Sequence, residues 1–290
     1  MPAYESPDGH LAKDGVRTSA AGPRKGRSGP RRPTPRVFQA GSGWRGRVSS
    51  RPMCEHFIAR AAEPFRLDEL WDFTERLERY GIAGFGWGAS WLGPGGALAS
   101  YRDVRAFRED PGRDVVGHTK TTAALVHLRR PSRLSTLGFE DTQPFDDPAG
   151  RFSFSHNGDL RDYKGMRATF RAQGRIHGRA DSEVGARWLE DAWHAGEPAA
   201  HLLGALHDRF GGEANLAILA ADGTPHHYAG NGENPVFTFR LGRIGVASTG
   251  IYSLDRSLFR FVAPGATDRR LVPLHQTATL DRDGRPTGIS

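Results

Sequence analysis

A layered α+β domain is the fold class that this 290-residue sequence predicts. Three observations carry the prediction. The texture of the chain changes at Cys54. Beyond it, strand-like runs are followed by a block of helical segments and then by strands again. No internal repeat and no regular βα alternation runs through them, which argues against a doubly wound parallel sheet.

Each element has a local reason. "HFIARA" (56–61) is short and apolar enough for a first strand. Leu67, Leu70, Trp71, Thr74 and Leu77 then recur at helical spacing, and Gly81 supplies a C-terminal stop. Strand patterns follow in "FGWGASWL", "ALASYRDV", "AALVHLR" and "RFSFSH", the last with Phe152 and Phe154 on one side. Three helical segments come next. They are "LRDYKGMRATFRAQ"; "DSEVGARWLEDAWHAG", with Val184, Trp188 and Ala192 on one face; and "EPAAHLLGALHDRF", with Leu202, Leu203, Leu206 and Phe210. Strands return in "ANLAILAA", "HHYAG", "PVFTFR" and "RIGVAST", and two short β candidates, "RRLVPL" and "TATLD", close the chain.

Residues 1–53 read differently. Gly, Pro, Ser and Arg dominate, with neither period, so this basic leader cannot bury enough apolar area to offset the entropy of ordering. Eleven Lys or Arg against three acids give it a net charge of +8 out of the chain's +7, which leaves residues 54–290 at −1. The basicity that would suggest a nucleic-acid partner therefore belongs to the leader, and the expected domain has no basic stripe. The chain has one cysteine, Cys54, so an intramolecular disulfide and a Cys-based zinc site are excluded. It has no apolar run of transmembrane length and no secretory signal, and the expected location is cytoplasmic. One domain is expected over 54–290, with 1–53 a disordered leader absent from or removed in the active protein.

Cys54 is the natural nucleophile, since a thiol forms and releases a thioester in two easier steps. It directly follows Met53. A chain beginning at Met53 would lose that methionine, and Cys54 would then carry a free α-amine whose pKa of about 7.7–8.0 suits a general base near neutral pH. Behind it, in order, come "ALVHLRRPS" with Arg129 and Ser132, "EDTQPF", "FSFSHNGDL" with Asn157 and Gly158, and "GRADSEV" with Asp181. Together with "GFGWG" ahead of the arginine, these motifs resemble the glutaminase domain of class II glutamine amidotransferases, the N-terminal nucleophile hydrolases, and above all the small stand-alone members that begin Met-Cys. The resemblance runs from Cys54 to about Ser253.

The resemblance implies a four-layer αββα sandwich and a set of roles. Cys54 attacks the side-chain amide of glutamine or of a γ-glutamyl amide. Asn157 and Gly158 hold the oxyanion, and Arg129, with Ser132 and Asp181, binds the amino-acid head group. No cofactor or metal is expected. The partners implied are the glutamine or γ-glutamyl substrate and a separate ammonia-accepting synthase, with no membrane and no nucleic acid. A γ-glutamyl hydrolase of the ergothioneine-pathway type stays open, as does a catalytically silent module with a basic, nucleic-acid-binding leader. On the bare sequence Arg129 is also a surface arginine, Asn157-Gly158 a hairpin turn and Asp181 a helix N-cap. His127 and His156 read as structural, and the tryptophans as core. The sequence departs from the family pattern at Arg130 and Pro131, where relatives usually have a bulky residue and Ala, and at Ser132, where Thr is common.

Overall fold

The computed structural model describes residues 54–131, 134–194, 197–250 and 256–289; the leader 1–53 and Ser132 lie outside the described residues. The first strand, β1 (Glu55–Arg66), passes through a short 3-10 turn into α1 (Trp71–Gly81). There follow β2 (Trp87–Leu92), β3 (Leu98–Asp103), α2 (Gly112–Gly117), β4 (Lys120–Leu128), β5 (Phe145–Asp146) and β6 (Phe152–Gly158). The helical block is α3 (Lys164–Ala172), α4 (Asp181–Ala192) and α5 (Ala199–Phe210). The last third holds β7 (Ala214–Ala220), β8 (Pro225–Tyr228), β9 (Val236–Leu241), β10 (Ile244–Thr249), α6 (Arg256–Val262), β11 (Thr267–Leu271), β12 (Thr277–Leu280) and β13 (Pro286–Thr287).

The strands form two antiparallel sheets. One is ordered β11-β9-β10-β1-β4-β2-β3 and the other β13-β12-β8-β7-β6-β5. Period-two alternation then sorts the side chains into three apolar layers. On β1, Phe57, Ala59 and Phe65 pack outward with Trp71, Phe73 and Leu77 of α1 and Val262 of α6. Ile58, on the opposite face, meets Leu125 of β4 and Ala217 and Leu219 of β7 between the sheets. Phe152 and Phe154 of β6 and Ile218 of β7 face outward on the second sheet, against Val184 and Leu189 of α4 and Leu203 and Leu206 of α5. Three apolar layers require four layers of elements, so the fold is an αββα sandwich. Each large side chain buried in these layers contributes about 1.5–3 kcal/mol.

The expected strands and long helices are present, with two local differences. The first of the three helical segments of the block starts at Lys164, not at Leu160, because Leu160 is spent on the outer core. Gly81 is the last residue of α1 rather than its stop; Ile82 takes the left-handed cap at φ 57°. The glycine answers another demand, since a Cβ at position 81 would lie 2.6 Å from Glu55 Cγ. Among the described residues, no helix is long and apolar enough to cross a membrane.

Candidate active site

Cys54 sits at the entrance to β1, the central strand of its sheet, where Glu55 pairs with Leu128 of β4. That register brings the thiol to the turn after β4. The Arg130 backbone N–H donates to Cys54 Sγ at 3.3 Å, and the thiol lies 3.6 Å from the Arg130 carbonyl. Burial pushes the thiol up to about 11; the Arg130 N–H and the Arg129 charge oppose this, and Glu55 and Asp181 add to it. At neutral pH this side chain is a thiol that needs a base.

Cys54 opens into a cleft of about 380 Å³ whose walls include Arg129, Gly158 and Asp181. Arg129 is buried, and its guanidinium donates to the carbonyl of Gly138 at 3.0 Å, to the Thr142 hydroxyl at 3.2 Å and to the Thr136 carbonyl. The "GFGWG" segment supports it from behind. The Arg129 N–H donates to the Gly86 carbonyl at 2.9 Å, while Trp87 is buried and donates from Nε1 to Asp110 at 3.0 Å. Trp71 and Trp87 are both core residues.

β6 ends at the cleft. Gly158 has φ +130°, and a Cβ there would lie 1.8 Å from the Glu213 carbonyl oxygen, so glycine alone fits. Asn157 lies just behind the cleft wall, fully buried, and neither its Nδ2 nor its Oδ1 has a hydrogen-bond partner. It stands in a β-ladder opposite Asn215 rather than in a two-residue hairpin turn. Asp181 is the first residue of α4 and Ala180 its N-cap. Its Oδ2 accepts from the Leu160 N–H at 2.7 Å and its Oδ1 from the Ser182 N–H at 3.0 Å. The structure thus brings Cys54, Arg129, Gly158 and Asp181 to one cleft with Asn157 behind it.

Three supporting residues were not legible as such in the sequence. Gln143, from "EDTQPF", accepts from the His156 N–H at 2.6 Å and donates to the His156 carbonyl and to Ser182, each at 3.1 Å, tying β6 to α4. Asp141 takes the N–H groups of Arg179 and Ala180, at 2.5 and 2.7 Å. Glu183 takes those of His177 and Gly178, at 2.9 and 2.8 Å. The turn that delivers Asp181 is therefore held by carboxylates on both sides. His156 shares a hydrogen bond of 2.9 Å with Ser182, which fits a structural histidine.

Between the sheets, His56, His127 and His227 are fully buried. Burial holds His56 and His127 well below the usual range and brings His227 down to about 3. They are neutral imidazoles at physiological pH. Among the described residues, no group of three or more His, Cys, Asp or Glu side chains is arranged to hold a metal ion. A larger groove of about 770 Å³, lined in part by Arg240, Arg243 and Arg270, contains no nucleophile, and the smaller cleft is the one with chemistry in it.

Glu55 is also fully buried. Its Oε2 accepts from the Thr249 hydroxyl and from Asn234 Nδ2 at 3.2 Å, while Oε1 has no partner. Burial pushes this carboxyl from 4.5 up to about 8, against the two hydrogen bonds and the charge of Arg130. Between those values the folded chain keeps a proton that the unfolded chain has released. The group therefore withdraws stability as pH rises through that window, by at most about 1.4 kcal/mol per pH unit. Glu55→Gln, which fixes the neutral form, is expected to raise Tm relative to the parent by a margin that grows from pH 5 to pH 8. Thermal melts across that range check it, and a margin independent of pH would contradict it.

No family model matches the chain, and no curated protein matches it by sequence. Solved structures do match. Glutamine phosphoribosylpyrophosphate amidotransferase from B. subtilis, complexed with ADP and GMP, is similar at TM-score 0.63 and 18% identity, over 82% of this chain and 49% of that one. A structure described as the allosteric regulatory enzyme of purine biosynthesis gives 0.62 and 17%, over 82% and 49%. A glutamine aminotransferase class-II domain protein from Silicibacter pomeroyi gives 0.50 and 16%, over 81% and 99%. The fold is that of class II glutamine amidotransferase domains. The chain spans about half the length of the first two structures. At this identity the similarity carries the amidotransferase fold, and the chemistry rests on the residues of the cleft.

Proposed function

We propose that this protein hydrolyses glutamine or a γ-glutamyl amide through a thioester on Cys54, releasing ammonia or an amine. One observation carries the reading. Cys54, Arg129, Gly158 and Asp181, far apart in sequence, line a single cleft.

The chemistry follows from what each group offers. Three of the five Arg129 donors are engaged with the loop, which fixes the guanidinium plane and leaves two donors and the charge for a substrate α-carboxylate. The anchored Asp181 carboxylate balances the α-ammonium. With Cys54 as first residue, its α-amine takes the thiol proton while sulfur attacks the γ-amide carbon. Negative charge then develops on the amide oxygen, where the Asn157 side-chain amide and the Gly158 N–H would receive it; Asn157 has its donors uncommitted. Collapse returns the proton to the leaving nitrogen. Water next attacks the thioester and frees glutamate. With the peptide bond to Met53 intact, the nitrogen of Cys54 is an amide and supplies no base.

The test is to intercept the thioester. The protein beginning at Cys54 is mixed with glutamine or γ-glutamyl amides and quenched in acid, with hydroxylamine as a parallel trap. A γ-glutamyl adduct on the Cys54 peptide and formation of γ-glutamyl hydroxamate are expected. No adduct and no amine release with any γ-glutamyl compound would favour the silent module.

A further inference from the structure

The cleft carries more positive charge than an amino-acid head group calls for. Arg129 and Asp181 form a matched pair for an α-carboxylate and an α-ammonium. Beyond them, Arg130, Arg161, Lys164 and Arg179 line the same cleft. Arg130 is half-buried and the other three are exposed, and none of the four makes a side-chain hydrogen bond or ion pair within the described residues. Elsewhere arginines are commonly matched, as Arg108 is by Glu78, Arg151 by Asp147 and Arg175 by Glu190 and Asp191. The cleft walls hold three acids, Asp141, Asp159 and Asp181, against five cations with Arg129 included, an excess of two positive charges.

A second observation points the same way. α3, nine residues long, starts at Lys164 after Tyr163, and α4, twelve residues long, starts at Asp181 after Ala180. Neither N-cap residue supplies a side-chain cap, and both helix starts line the cleft. The α3 start thus turns the positive end of its dipole to the same space as the four cations, whereas at α4 Asp181 itself takes the Ser182 N–H. Arg130 ties the set to the reacting centre, because its own backbone N–H and carbonyl hold Cys54 Sγ.

We infer that the substrate is a γ-glutamyl amide whose amine half bears an anionic group, a carboxylate or a phosphate, seated among Arg130, Arg161, Lys164 and Arg179. This rests on the γ-glutamyl reading above. Free glutamine has nothing beyond its amide nitrogen to engage these side chains. A γ-glutamyl amide of an acidic amine brings a second negative charge into the cleft that the four cations line.

The test separates this inference from the reaction itself by measuring binding. Residues 54–290, which contain all three apolar layers, and the full chain are each prepared with Cys54→Ala and titrated calorimetrically with γ-glutamylglycine and with its neutral isostere γ-glutamylglycinamide. The anionic ligand is expected to bind about tenfold more tightly at low salt. The preference should shrink as salt rises and fall towards unity in the triple variant Arg161→Gln, Lys164→Gln, Arg179→Gln. A γ-glutamyl derivative of aminomethylphosphonate ranks phosphate-type groups against carboxylate. Equal affinities, no binding of either ligand, or a preference untouched by the triple variant would overturn the inference. Turnover by the Cys54 protein is read separately. An intact anion preference without turnover would sink the hydrolytic reading and leave the cations as a binding site for an anionic γ-glutamyl ligand.

Discussion

Protein that begins at Cys54 will release glutamate from glutamine or a γ-glutamyl amide, and the same protein with Met53 retained will be slower by about 10³-fold or more. Two quantities set that expectation. A thiol held near 11 is ionised to about one part in ten thousand at pH 7, so turnover depends on a base at the sulfur. A positioned base contributes about 10² to 10⁴ in rate, and an amide nitrogen contributes none of it. Amine or glutamate release at saturating substrate is the measurement, alongside the intact mass of each preparation. Cys54→Ala in the short form should abolish the reaction with the Tm little changed. Equal activity with and without Met53 would sink the amine mechanism, and residual turnover in the alanine variant would sink the thioester.

Asn157→Leu is expected to separate function from stability. If the Asn157 amide receives the oxyanion, its loss lowers kcat by about 10² to 10³ with little effect on KM. Its Nδ2 and Oδ1 have no partner in the folded chain, so the substitution breaks no hydrogen bond and relieves two unsatisfied buried atoms, each a liability of about 1–3 kcal/mol. Tm should therefore hold or rise while turnover collapses. A variant that keeps its kcat but loses more than about 2 kcal/mol of stability would recast Asn157 as a structural residue.

Much of this was readable from local pattern. The Phe152/Phe154 alternation puts both rings in the outer core, and the spacing of Leu202, Leu203, Leu206 and Phe210 seats α5 on the second sheet. The motif residues Cys54, Arg129, Gly158 and Asp181 could be named in order because each stands in a short, recognisable stretch. Other features have no local signature. β5 and β13 are two residues each and exist only because a neighbouring strand offers a ladder. The position of β1 between β10 and β4 is a choice of partners across nearly the whole domain. Gly81 looked like a helix stop because a glycine after helical spacing usually is one, and the need to clear Glu55 is visible only in three dimensions. Gln143, Asp141 and Glu183 act by bonding backbone groups of distant segments, an ability that residue type alone does not announce.

The central place of β1 has a consequence for how the protein is made. The strand that follows the nucleophile is the first of the domain to be synthesised, yet one of its two partners, β10, ends at Thr249. During vectorial synthesis β1 can be zipped to β4 early, but its other edge waits for more than a hundred further residues. The cleft around Cys54 draws its walls from residues up to Ser182, while the carboxyl of the next residue, Glu55, is anchored by Asn234 and Thr249. The strand behind the thiol is therefore made early in the domain and completed late, after the ribosome has delivered residues as far as Thr249.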